Sequence, residues 1–221
     1  MPRKGGIVPL KLLIATANTG KVREFRQILG ADRFDWSDLA DHREVAAVEE
    51  TGKTFRANAC LKASYYAAQL GMWALADDSG LAVDALGGNP GVLSARWAQV
   101  NRAGQGDAAN NATLLQQLHN VPQDERTARF VCCLALSDPL GRIAMTAQDS
   151  VEGVILREGR GTSGFGYDPL FYFPQLGKTT AELEPGQKHQ ISHRGKALRR
   201  LRQLMDLHLA APAHDASTIP R

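Results

Sequence analysis

Apolar positions along the chain form short runs that alternate with amphipathic stretches. Leu10 to Ala15 is a β-like run, and Val22, Phe25, Ile28 and Leu29 follow at helical spacing. Between them lies the polar turn Thr16-Ala17-Asn18-Thr19-Gly20-Lys21, so the unit reads strand, turn, helix; Asn18 or Thr19 can cap the helix and Gly30 can end it. Residues 31–48 read as a connection holding a poorly defined strand. Phe55 to Leu70 is a second helix, capped by Thr51 or Thr54 and closed by Gly71. Asp107 to His119 is a third, with Leu114, Leu115 and Leu118 inward. Arg126 to Leu136 alternates as a half-buried strand does, and Asp138-Pro139-Leu140-Gly141 turns it into a partner strand from Arg142 to Ala147. A last helix, with Ser192 as a fair N-cap, turns Leu198, Leu201, Leu204 and Met205 inward.

Met72 to Ala76 is a short apolar run that ends in Asp77-Asp78-Ser79-Gly80. It reads as a buried strand closed by a turn, with Gly80 permitting the turn and both carboxylates delivered to a sheet edge. Two partly buried neighbouring carboxylates repel each other and call for a cation nearby. Without one, the same residues make an ordinary Asp-Ser-Gly surface turn.

Other polar stretches bear on chemistry. The turn before the first helix, with Lys21, is a ready anion site, because backbone N–H groups and the helix dipole face the ligand. It is not a P-loop: Ala15 stands where the first glycine would be and Val22 where the Ser or Thr would be. Glu49 and Glu50 precede the second helix, where acids favour its dipole; the functional alternative is that Glu50 joins Asp78 around Mg²⁺, which takes one or two carboxylates plus phosphate oxygens and water. Asn58 and Lys62, four apart, share a face of that helix. Arg96, beside Trp97, is either a surface arginine or a phosphate or partner contact. The stretch Gly159 to Pro169 allows close backbone approach to a ligand, and Phe165 and Tyr167 offer flat surfaces for a base; no clear helix follows, which argues against a Rossmann fingerprint. His193 and Arg194 fall in the first turn of the last helix, where the dipole disfavours cations, and such local inconsistency marks functional sites.

Composition narrows the picture. A chain of 221 residues can bury a sizeable core as one domain with room for two lobes. Lys and Arg number 26 against 23 Asp and Glu, a net charge of +3 that suits an anionic ligand and is too small to imply nucleic acid. No apolar run approaches membrane-spanning length, and Pro9 and Lys11 interrupt the only stretch that could serve as a signal-peptide core. Cys60, Cys132 and Cys133 lie in apolar surroundings without a Cys-x-x-Cys spacing, which reads as buried free thiols in a reducing, cytoplasmic compartment. Residues 1–9 and 210–221 read as flexible ends around a domain spanning 10–209.

Five stretches together carry a resemblance. They are Thr16 to Lys21, Glu50-Thr51-Gly52, Ala76 to Asp84, Gly164-Phe165-Gly166-Tyr167-Asp168-Pro169 and Ile191-Ser192-His193-Arg194. In this order they closely resemble the non-canonical purine nucleoside triphosphate pyrophosphatases, over about Leu10 to Leu207. Two departures are visible: Ala17 replaces the usual glycine of the first motif, and Ala57 stands where the family usually has Glu before Asn58. The resemblance implies an elongated mixed α/β fold of two lobes around a central nucleotide cleft, and a homodimer that binds neither nucleic acid nor membrane. It implies Mg²⁺ and the conversion of inosine, deoxyinosine or xanthosine triphosphate to monophosphate and pyrophosphate. Carried over, Asp78 would accept a proton and bind metal with Glu50. Thr16, Ala17, Asn18, Thr19, Gly20, Lys21, Ser79 and Lys188 would hold phosphates. Phe165, Gly166, Tyr167 and Asp168, with His193 and Arg194, would surround the base. A pyrophosphatase for modified pyrimidine nucleotides would share the phosphate machinery with a different base pocket. A nucleic-acid-binding module would use the basic last helix and show salt-dependent binding without hydrolysis.

Overall fold

A computed structural model describes residues 10–210. The expected N-terminal extension, 1–9, and the expected tail beyond Ala210 lie outside the described residues. Seven strands form one mixed sheet: β1 (Leu10–Ile14), β2 (Phe34–Asp38), β3 (Trp73–Val83), β4 (Thr127–Ser137), β5 (Ile143–Ile155), β6 (Phe171–Phe173) and β7 (Lys178–Thr179), in the order β2-β1-β3-β4-β5-β6-β7. The helices are α1 (Thr19–Leu29), α2 (Phe55–Leu70), α3 (Trp97–Val100), α4 (Gly106–Gln117), α5 (Pro185–Ile191) and α6 (His193–Ala210). The fold is thus mixed α/β. Among the described residues no helix is long and apolar enough to cross a membrane.

Local signals set the first two helices. The Asn18 side chain accepts from the Lys21 N–H at 3.1 Å and Gly30 closes α1. Thr54 caps α2 through the Ala57 N–H at 3.1 Å, and Gly71, in the left-handed region, ends it. Each such side-chain cap is worth about 1 kcal/mol. Of the residues expected inward on α6, Leu198, Leu201 and Met205 are buried, whereas Leu204 is exposed.

The sheet changes character along β3. β2, β1 and the start of β3 are parallel, but β1 pairs with β3 only through Leu12–Ile14 opposite Trp73–Leu75. Beyond that point β3 continues without β1, antiparallel to β4 through to Val83. The expected turn at Asp77-Asp78-Ser79-Gly80 does not occur. Pairing with Leu134, Cys133, Cys132 and Val131 holds these residues extended, and this long-range ladder overrides their turn preference. β5 also runs further than expected, to Ile155.

Because β3 stays extended, its side chains alternate between faces. Leu75 belongs to the core packed under α1 and α6, with Leu12, Phe25, Leu134 and Leu198. Ala74 and Ala76 belong to the opposite core under α2, with Ala59, Ala63 and Cys133. Past the end of β1, Leu81 and Val83 enter a third core with Leu114, Phe130 and Phe171. There the free edge of β3 is covered by residues 87–96: Ser94 accepts from the Leu81 N–H at 2.9 Å and donates to the Gly91 carbonyl at 2.6 Å. Gly80 serves this approach rather than a turn. A Cβ at that position would stand 2.3 Å from Ser94 Oγ and 2.5 Å from the Gly91 oxygen.

Gly80→Ala is accordingly expected to lower stability by roughly 1–3 kcal/mol through overpacking, read as a lower urea midpoint. An unchanged midpoint would mean that segment 87–96 yields freely.

Candidate active site

β1 ends at Ile14, and the chain leaves it through Thr16–Asn18 into α1. The Asn18 N–H donates to Thr16 Oγ1 at 3.2 Å, which folds the turn back on itself. Residues 17–19 are exposed at the helix N-terminus. Lys21, one turn in, reaches across to Asp77 at 2.9 Å.

Asp77 is fully buried and is the centre of a ladder of alternating charges. The ladder runs from Lys21 to Asp77, on to Arg194 (Nε 3.5 Å from Asp77), and then to Glu24 (2.6 Å from Arg194 Nη1). Glu24 leads to Lys188 at 3.6 Å, and Lys188 to Asp168 at 2.7 Å. Ser79, on the same face of β3, donates to Asp77 at 3.1 Å and accepts from Arg194 at 3.0 Å. Burial alone would raise the Asp77 carboxyl; Lys21 and Arg194 outweigh it and hold the group well below the usual carboxylate range. Glu24 is likewise lowered against its burial, first by Arg194 and then by Lys188. Asp168, almost completely buried, is raised by desolvation despite Lys188. The cation expected beside the paired aspartates is therefore present, as several groups.

Asp78 faces the other way. It accepts from Asn58 Nδ2 at 3.0 Å and lies 3.8 Å from Lys62, whose ammonium also meets Glu50 at 2.8 Å. Asn58 is oriented by the Gly52 N–H, which donates to its oxygen at 2.7 Å. Asn58 and Lys62 thus share one face of α2 and one target. The Asp78 carboxyl is pushed up to about 6, by desolvation first and also by the Glu50 charge, against the pull of Lys62 and Asn58. Glu50 and Asp78 converge on one cation position. Among the described residues there is no cluster of three or more His, Cys, Asp or Glu that could form a closed metal cage.

On the Asp77 face a cavity of about 240 Å³ opens between the two ends of the sheet. Its lining includes the polar and charged side chains of Asn18, Lys21, Ser79, Lys188 and Arg194 together with Phe130, Phe165, Tyr167 and His193. Phe165 covers the cations, with Lys188 Nζ 5.0 Å and the Arg194 guanidinium carbon 5.6 Å from its ring centre. Tyr167 is less available than expected. Its ring is buried in the third core and its hydroxyl donates to the Ser94 carbonyl at 2.9 Å. Ser192 caps α6 as expected, accepting from the Gly195 N–H at 3.1 Å, although α5 precedes it directly. His193 stacks on Phe130 with ring centres 4.8 Å apart. Burial first, then Arg194 and Lys188, holds it well below the ordinary imidazole range, so the ring is neutral, and its Nδ1 is buried without a hydrogen-bond partner. Cys132 and Cys133 are buried free thiols, as expected, and Cys60 is half-buried.

The structure therefore gathers Lys21, Ser79, Phe165–Asp168, Lys188, His193 and Arg194 at one cavity, and sets Glu50 and Asp78 across β3 from it. Glu49 is exposed, and the ion pairs of Lys62 are with Glu50 and Asp78. Arg96 is exposed and does not line the cavity. Sequence reasoning missed Glu24, although it lies one turn after Lys21 on the same helix face. It also missed Phe130, Asp107 and Asn110, which line the cavity; Phe130 was legible only as a strand residue.

A profile of the Ham1 family matches residues 12–204. A protein of Exiguobacterium sibiricum named dITP/XTP pyrophosphatase is 50% identical over 192 residues, 87% of this chain and 95% of that protein. One of Desulforamulus reducens with the same name is 50% identical over 197 residues, 89% of this chain and 96% of that one. The structure of a HAM1 protein from Coxiella burnetii superimposes with a TM-score of 0.80 at 38% identity, covering 90% of this chain and 99% of that one.

The Asp78 environment generates a test that needs no substrate. Its carboxyl ordinarily titrates at 3.8 and in the fold at about 6, so between those values the folded state binds more protons than the unfolded one. Stability from this group is full below that window and falls as pH rises through it. Asp78→Asn removes the loss. In EDTA the variant should exceed the wild type at about pH 8 by roughly 1–3 kcal/mol, with the gap closing toward pH 4 in urea titrations. A variant no more stable than wild type at either pH would show that Asp78 is fully compensated.

Proposed function

The chain belongs to the Ham1 family, and from that premise we propose that it hydrolyses inosine, deoxyinosine and xanthosine triphosphates to monophosphate and pyrophosphate, cleansing the nucleotide pool. Its relatives named dITP/XTP pyrophosphatase match it over most of both chains. The observation that carries the reading is one cavity whose lining holds both the cations and hydroxyl of Lys21, Lys188, Arg194 and Ser79 and the rings of Phe165 and His193. The former suit a polyanion and the latter a flat heterocycle.

Hydrolysis forms a bond from water oxygen to the α-phosphorus and breaks the anhydride to the β-phosphate; the water proton must go to a base. Asp78 is that base in this reading. A carboxyl titrating near 6 is ionised at neutral pH yet more basic than an ordinary carboxylate. Asn58 and Lys62 hold it in place. The turn Thr16–Lys21, with Ser79 and Lys188, grips the phosphates through helix-terminal N–H groups, a hydroxyl and ammonium charge. Glu50 and Asp78 would hold Mg²⁺, which takes one or two carboxylates and leaves its remaining positions to water and phosphate oxygens. Their convergence on the Lys62 ammonium supports that fit. The ion supplies neutralisation of charge developing on the phosphates.

His193 suits the base end, being neutral with a buried unpartnered Nδ1. Arg194 is committed to Glu24, Asp77 and Ser79, so it anchors the floor between the base and the phosphates. Hydrogen bonds made to a 6-oxo purine would be left unpaired by a 6-amino one, which gives the discrimination. We also propose a homodimer acting in the cytoplasm.

Pyrophosphate release from inosine triphosphate should require Mg²⁺ and stop in EDTA. Asp78→Asn should reduce it by roughly 10²–10⁴-fold with the fold retained, judged by circular dichroism. Near-normal turnover in the folded variant would reject Asp78 as the base. Turnover of a modified pyrimidine triphosphate in preference to all three purines would replace the substrate class.

Lys21→Ala and Lys188→Ala should each weaken the triphosphate far more than the free nucleoside, measured by calorimetry. Equal losses for both ligands would move these lysines away from the phosphates.

A further inference from the structure

Three polar side chains of α4 grip the backbone of both walls of the cavity. Asp107 accepts from the Gly166 N–H at 2.6 Å, and Asn111 donates to the carbonyl of the same Gly166 at 3.0 Å. Asn110, buried between them, accepts from the Ala98 N–H at 2.8 Å and donates to the Ala95 carbonyl at 3.2 Å. Positions 107, 110 and 111 stand at helical spacing on one face. The same stripe continues one turn on as Leu114, which packs into the third core. The polar first turns of the helix therefore serve the loops, and Leu114 anchors the helix beneath them.

The grip matters at Gly166. Its neighbour Phe165 has its own N–H held by Asp168 at 3.0 Å. Two carboxylates thus pin successive amides from two sides, Asp168 from within and Asp107 from α4. Between those pins the Phe165 ring stands over Lys188 and Arg194. A Cβ on Gly20 would lie 3.2 Å from that ring, so Phe165 also reaches the phosphate turn on the far side of the cavity. A small rotation about residues 165–166 would therefore change both the stacking surface and the opening above the phosphates.

We propose that Asp107 and Asn111 are positioning residues for the reaction: by clamping Gly166 they fix where Phe165 stands, and so set how tightly the purine triphosphate is held. This rests on the purine nucleotide reading of the cavity. The clamp touches neither the proton acceptor nor the scissile bond, so it belongs to binding and not to the chemical step. Asp107 is exposed and outside the core, which keeps its removal from being chiefly a loss of fold.

The test compares Asp107→Ala, Asn111→Ala, the double variant and the conservative Asp107→Asn, which retains an acceptor oxygen. Asp107→Ala should raise KM for inosine triphosphate roughly tenfold, the lower end of a charge-assisted hydrogen bond, while kcat stays within about twofold. Asn111→Ala should do the same more weakly. The double variant should fall short of the product of the two, because both grip one peptide unit. Asp107→Asn should recover most of the loss. Amide hydrogen exchange at Gly166, followed by NMR without nucleotide, should quicken in Asp107→Ala while core amides of β4 keep their protection. Unchanged KM and unchanged Gly166 exchange would overturn the proposal. So would a fall in kcat at constant KM, which marks a catalytic role or loss of folded protein. If the wild type itself released no pyrophosphate from inosine triphosphate, the nucleotide reading would fail, and Gly166 exchange would still decide whether the clamp exists.

Discussion

The buried Asp77 carboxylate is the constraint on which the rest of the structure depends. A fully buried carboxylate is tolerated only when paired, and it is held here by Lys21 of α1 and Arg194 of α6. Those two helices are joined again through Glu24, which meets Arg194 and Lys188. One charge on β3 thereby ties together the Thr16–Lys21 turn, the last helix and the loop that ends in Asp168. Most members have two partners, so losing one weakens the pairing of its neighbours without stripping it; only Asp168, whose one ion-pair partner is Lys188, would be left buried without a counter-charge by a single removal. Such a network specifies one arrangement rather than merely favouring compactness, and the cavity inherits that precision.

The alternation of β3 then divides the two neighbouring aspartates between different tasks. Asp77 points to the α1 and α6 face and is held ionised by its cations. Asp78 points to the α2 face, where burial first and the Glu50 charge second raise its carboxyl instead. Opposite environments on one dipeptide separate a carboxylate that organises cations from one that can exchange a proton, which is how acid–base roles are assigned by surroundings and not by residue type. A turn at this dipeptide, as the residues suggest locally, would have placed both side chains in similar solvent and erased the difference.

What the sequence made legible follows the range of the forces involved. α1 and α2 were readable to within a residue because their signals are local: Asn18 and Thr54 accept from N–H groups three positions on, and Gly30 and Gly71 release the chain. The extension of β3 through Gly80 was not readable, since it depends on β4 lying alongside and on segment 87–96 pressing against the missing Cβ. The local inconsistency of Arg194 in a first helical turn did point to the site, but its partner Glu24 lies 170 positions away and no spacing announces it. Asp107 and Asn111 look like ordinary polar residues of a helix; only the folded chain brings Gly166 between them.

The ladder also bears on how a polyanion enters. Lys21, Arg194 and Lys188 are three positive charges, and Asp77, Glu24 and Asp168 are their three carboxylate partners, so that face presents little net charge. Across β3, Glu50 and Asp78 outnumber Lys62. A polyanion entering the cavity would thus meet cations that already have carboxylate partners. The cations are oriented by those partners rather than free. Preorganised dipoles and ammonium groups then act without reorganising, the condition under which electrostatic stabilisation of a transition state is largest.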